Sequence, residues 1–185
     1  MKTFKQFIQE EDRKIYAKKF GELPEFTPAL AEKDYQVGEV KFSAEHGLGA
    51  VPFNQSPYYH GLVALVKPSK FLELAHEEET DPKRVFEIVK LIWDGYAMGI
   101  PFLDVLIDDN PEWMMPQIKG HEGRNRMKAF MEVEGDRPVP IHLFLRGGMR
   151  NRHVTDEMIK QLEDSVVSQR GHTVTHPFIK VYKAP

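Results

Sequence analysis

The residues best suited to chemistry in this 185-residue chain are Gly120-His121-Glu122-Gly123-Arg124-Asn125-Arg126. Met115–Lys119 reads as a short strand leading into them, and 123–132 as a helix leaving them, with Met127, Phe130 and Met131 inward. The first turn of a helix exposes unpaired N–H groups with partial positive charge, which attract phosphate or carboxylate. Gly120 and Gly123 would let the chain turn tightly, and Gly123 would let an anion approach the backbone. Arg124 and Arg126 add guanidinium forks that match phosphate oxygens, with Asn125 between them as a further polar contact. Glu122 could orient an arginine, bind Mg²⁺ or act as a base, and His121 or Glu122 would handle a proton. On this reading Arg126→Ala abolishes anion binding with little loss of stability, whereas unfolding would mark the arginine as structural and count against the site. The same pattern also fits a plain glycine loop before a helix with solvated arginines, and a short motif does not separate the two.

A second basic cluster, Arg146-Gly147-Gly148-Met149-Arg150-Asn151-Arg152-His153, follows another strand. Arg146, Arg150 and Arg152 on a glycine-flexed loop suggest another anion contact. Loops that follow strands tend to line one edge of a sheet. The two clusters are therefore expected to converge on a polyanion, with the second closing the site over the first. Asp104, Asp108, Asp109 and Glu112 are weaker candidates, as hard oxygen ligands for Mg²⁺. His172 and His176, four apart without a third ligand, do not make a zinc site.

Composition narrows the field. Net charge is −3 and 41% of residues are hydrophobic, so nucleic acid would have to be met by a local patch rather than by overall basicity. The absence of cysteine excludes disulfides, thiolate metal sites and cysteine nucleophiles, and fits a reducing compartment. Gly61–Val66 and Ile100–Ile107 are far shorter than a membrane span, and the charged N-terminus is not a secretory signal. No membrane partner is expected.

The elements that must position these residues are legible in outline. Residues 1–20 read as an amphipathic helix with Phe4, Phe7, Ile8 and Ile15 on one stripe, and 21–56 as an extended linker or arm rich in Gly and Pro. The compact domain spans 57–185. Gly61–Val66 is a buried strand, followed by a short helix opening at Pro68. Asp81-Pro82 caps a helix with Val85, Ile88, Val89, Ile92 and Tyr96 on one face, stopped by Gly99 and Pro101. Strands are expected at Phe102–Ile107 and, alternating in polarity, at Val139–Leu145. Thr155 caps a last helix with Met158, Ile159, Leu162 and Val166 inward, and Phe178–Tyr182 closes the sheet. Helices separating strands give an α/β or α+β fold, one domain with a small mixed sheet and flanking helices.

The order of these elements, with Lys67-Pro68-Ser69 after the first strand and Glu122-Gly123-Arg124-Asn125-Arg126-Met127-Lys128-Ala129 heading a helix, resembles the ParB/sulfiredoxin superfamily over about residues 57–145. In that family an acidic–glycine–arginine segment heads a helix and binds nucleotide phosphates or a DNA-proximal anion. Glu122, Gly123, Arg126 and Ala129 match its pattern. Arg124 and Asn125 depart from its usual His/Arg pair, and the lack of cysteine excludes sulfiredoxin-type redox chemistry. The Gly-His-Glu-Gly-Arg-Asn-Arg segment, the Pro-Val-Pro-Ile-His-Leu strand and the Arg-Gly-Gly-Met-Arg loop also look like uncharacterised bacteriophage proteins. Met1–Glu10 is similar to capsid-targeting peptides of internal phage head proteins, which dock on the prohead core and are cut by the prohead protease after an Ile/Leu-x-Glu sequence such as Ile8-Gln9-Glu10.

The resemblance implies a phage protein of the host cytoplasm or packaged head. It would bind a nucleotide or the DNA phosphate backbone, with Mg²⁺ accompanying a nucleotide and phosphoryl transfer or nuclease chemistry as the candidate reaction. Two alternatives stand beside it: a non-enzymatic DNA-binding or internal virion protein, and a host-directed inhibitor acting by protein contact.

Overall fold

A computed structural model describes residues 35–43, 62–76, 81–107, 114–146 and 154–183. Within these, two sheets and four helices share one core. The helix expected over 1–20, the cleavage position after Glu10, and Arg150 and Arg152 lie outside the described residues.

Strands β1 (Tyr35–Val37) and β2 (Val40–Ser43) form an antiparallel hairpin, and β2 pairs in parallel with β4 (Met98–Gly99). This part of the stretch read as a linker is therefore folded, with Val40 and Phe42 fully buried. A linker reading failed here because three short strands bury their apolar residues only against distant partners. Phe42 meets Phe130 with ring centroids 6.0 Å apart.

The larger sheet is built from β3 (Leu62–Val66), β5 (Phe102–Leu106), β6 (Gln117–Glu122), β7 (Val139–Arg146), β8 (Ser165–Val167), β9 (Thr173–Thr175) and β10 (Lys180–Lys183). Its order is β10-β3-β7-β5-β6-β8-β9. β7 runs antiparallel to β3 and parallel to β5, while β5 and β6 are antiparallel. β7 does not alternate between buried and exposed positions as expected. Every residue from Val139 to Leu145 is buried, because the strand sits between two neighbours with both faces covered. Val139, Ile141, Leu143 and Leu145 join the core shared with the helices. On the other face Phe144 packs edge-on against Phe102, centroids 4.8 Å apart, with His142 beside it.

Helices α1 (Pro68–Leu74), α2 (Pro82–Trp93) and α3 (Arg124–Glu134) pack together through Phe71, Leu74, Ile88, Val89, Ile92, Met127 and Phe130. α1 has no cap from its own Lys67. Asp136, just past α3, supplies it, accepting from the Ser69 N–H at 2.8 Å and from the Ser69 hydroxyl at 2.7 Å. In α2 the Asp81 carboxylate accepts from the Lys83 N–H, with Pro82 at the first helical position, as expected. The helix ends earlier than Gly99. Gly95 (φ +83°) donates to Ile92 and Tyr96 to Leu91, a Schellman ending, which leaves Tyr96 outside the helix and exposed.

α4 (Asp156–Asp164) starts at Thr155, whose hydroxyl accepts from the Met158 N–H, and buries Met158 and Leu162. Val166 belongs not to this helix but to β8, the first arm of a hairpin with β9. No helix of the described residues is long and apolar enough to cross a membrane.

Candidate functional site at the head of helix α3

Gly120, His121 and Glu122 lie in a strand rather than a loop. β6 stays extended to Glu122, pairing Gly120 with Asp104, His121 with Leu103 and Glu122 with Phe102. Lys119 is an extra residue between the paired Ile118 and Gly120, a bulge that twists β6 just before the motif. The whole turn from strand to helix is made by Gly123, in left-handed conformation (φ 106°, ψ 13°). A Cβ there would stand 2.7 Å from the Cβ of Pro101. The space is thus filled by Pro101, so this glycine serves the turn and its packing and not the approach of an anion.

The Met127 N–H donates to the Gly123 carbonyl at 2.8 Å and opens α3, and no side chain caps the helix. Arg124 and Asn125 stand half-buried in the first turn. Arg124 Nη1 donates to the His76 carbonyl at 2.8 Å. Its Nε is shielded from solvent and has no hydrogen-bond partner among the described residues.

Arg126 turns inward. Only 4% of its surface is exposed, Nη1 donates to the Gly99 carbonyl in β4 at 2.9 Å, and Nη2 reaches Glu122 Oε1 at 3.2 Å. This burial runs against the expectation that Arg126→Ala leaves stability intact, and it takes Arg126 out of the phosphate cradle. The guanidinium ties α3 to the small sheet, because the third helical position faces the core once Gly123 has set the entry angle. Glu122, 56% exposed, fills the orienting role among the three considered for it.

The remaining partners come from far along the chain. His121 Nδ1 lies 2.5 Å from Gln169 Oε1, and the same oxygen accepts from the His76 N–H at 2.8 Å. Gln169 sits in the turn between β8 and β9, where its own N–H donates to the Leu74 carbonyl at 3.0 Å. Gln169 and His76 escaped sequence reasoning. The polar Ser168–Gly171 run between Val166 and Val174 signals a hairpin turn, but no local pattern signals which strand its glutamine will meet.

The second basic cluster does not converge on this one at Arg146. Arg146 pairs with Leu106 at one end of β5, whereas Glu122 pairs with Phe102 at the other. Four strand residues separate the two levels, roughly 13 Å, and β6 and β7 point in opposite directions. Chains leaving antiparallel strands exit at opposite edges of the sheet. Among the described residues, the first cluster is joined by His76 and Gln169.

Asp104 is buried in β5, and His172 and His176 are exposed. Among the described residues no group of three or more His, Asp or Glu could hold a metal ion. Asp108, Asp109 and Glu112 lie outside the described residues. No family model, curated protein or solved structure matches this chain.

Proposed function

We propose that the head of α3 is an anion site for the phosphate of a nucleotide or of a nucleic-acid backbone, in a phage protein of ParB/sulfiredoxin-like architecture. The observation that carries this reading is the uncapped first turn of α3, flanked by Arg124 and His121. A helix start without a capping side chain leaves N–H donors for a ligand, and its dipole favours negative charge. Arg124 uses one donor on His76 and keeps others for phosphate oxygens. Glu122 is engaged by Arg126, so His121 is the better group to exchange a proton with a ligand. Mg²⁺ would arrive bound to a nucleotide, and phosphoryl transfer is the reaction to look for.

The test is a thermal-shift panel of nucleoside mono-, di- and triphosphates with and without Mg²⁺, and short duplex DNA at two salt concentrations. A ligand at a hundred times its Kd adds about 2.7 kcal/mol to the native state, roughly 5–10 °C for a protein of this size. A phosphate-dependent shift that Arg124→Ala removes supports the site. No shift with any nucleotide or DNA refutes it. A response to DNA alone that vanishes with salt transfers the function to non-specific DNA binding.

A further inference from the structure

The partners of Gln169 bear on which nitrogen of His121 carries the proton. Its side-chain oxygen faces two groups, the His76 backbone N–H at 2.8 Å and His121 Nδ1 at 2.5 Å. A backbone N–H can only donate, so the amide atom in front of it is the oxygen and the side chain cannot be flipped. That oxygen can only accept, so Nδ1 must be the donor. A neutral imidazole has a single N–H, which leaves Nε2 with a lone pair. Nε2 has no hydrogen-bond partner among the described residues.

The acceptor is itself held in place. The Gln169 N–H is fixed on the Leu74 carbonyl. The turn around it is closed by the Ser168 N–H, which donates to the His172 carbonyl at 2.8 Å, and by the Gly171 N–H, which donates to the Ser168 carbonyl at 2.9 Å. His76 is gripped on both sides, its N–H by Gln169 and its carbonyl by Arg124. One network thus joins the exit of α1, the β8–β9 turn, the ring of His121 and the first residue of α3.

We propose that Gln169 is a positioning residue that locks His121 in the Nδ1–H form and presents Nε2 as a hydrogen-bond acceptor to the P–OH group of a terminal phosphate, as in a nucleotide but not a nucleic-acid backbone, bound at the α3 head. The inference rests on the anion-site reading above and adds the identity of the atom that meets the ligand.

The test is two-bond proton–nitrogen correlation NMR on the full chain labelled with ¹⁵N-histidine, with His121 assigned by loss of its signals in His121→Gln. Backbone amide spectra are recorded in parallel, and inorganic phosphate is the probe. The expected result is a pyrrole-type Nδ1 and a pyridine-type Nε2 in the wild type and in Gln169→Glu, which keeps an oxygen acceptor. Gln169→Leu should show a mixture of tautomers. Adding phosphate should shift Nε2 together with the amides of Arg124, Asn125 and Arg126.

An Nε2–H ring in the wild type overturns the inference, as does an unchanged tautomer in Gln169→Leu. If Gln169→Leu does not fold, the wild-type and Gln169→Glu spectra still decide. Amides that respond to phosphate while Nε2 stays still leave the anion site standing and remove the role of His121. Amides that do not respond remove the anion site, and the inference falls with it.

Discussion

Arg126→Ala separates a structural arginine from a ligand-binding one. In the wild type the guanidinium is only 4% exposed, donates to the Gly99 carbonyl at 2.9 Å and touches Glu122 at 3.2 Å. A hydrogen bond from a charged donor contributes about 1.5–3 kcal/mol, and a buried carbonyl left without its donor costs about 1–3 kcal/mol, two views of largely the same loss. The Glu122 contact adds little, because that carboxylate is more than half exposed and rehydrates when released. Removing the buried aliphatic stem adds a packing term. The net expectation is a destabilisation of about 3 kcal/mol, roughly 6–12 °C in Tm for a domain of this length. Urea unfolding followed by circular dichroism measures it. Arg126→Met keeps most of the volume while losing the hydrogen bonds, so it should recover only the packing part. An Arg126→Ala protein with wild-type stability and no phosphate response would refute this reasoning and return the arginine to the ligand.

Gly123→Ala places a side chain at φ 106° and against Pro101, and should cost about 2–4 kcal/mol from strain and clash together. Gly135→Ala, at φ 73° and ψ −157° where glycine is nearly the sole residue tolerated, meets nothing within 4 Å of the added Cβ and should cost about 1–3 kcal/mol from backbone strain alone; wild-type stability in Gly123→Ala would contradict the Pro101 contact. Asp136→Ala removes the cap that α1 borrows from beyond α3 and should lower stability by about 1 kcal/mol in urea melts. At Asp156, the hydrogen bond from Lys183 and then its positive charge hold the carboxyl below the ordinary carboxylate value. A depressed carboxyl stabilises the fold above its unfolded pKa, about 3.9, and that contribution is lost as pH falls through the lower folded value. Carboxyl-detected NMR should show Lys183→Ala moving the Asp156 midpoint upward, and no movement would show that the ion pair does not form in solution.

Short-range chemistry is legible in the chain alone. The apolar run Leu62–Val66, the Asp81-Pro82 cap of α2, the Thr155 cap of α4 and the helix after Gly123 can all be read from it, because caps and periodicity act within a few residues. The motif's position at a strand-to-helix junction is legible for the same reason. Long-range pairing sets the rest. Strand direction sends Glu122 and Arg146 to opposite edges of the sheet, and direction depends on pairings between strands far apart in the chain. The inward turn of Arg126 depends on a carbonyl 27 residues away, and the partner of His121 Nδ1 is a glutamine 48 residues away. Residues 35–43 look featureless alone and become a hairpin because α3 offers Phe130 and β4 offers an edge. Local spacing encodes which groups are available, whereas the partner each one finds is set by burial and by backbone pairing over distances that spacing does not record.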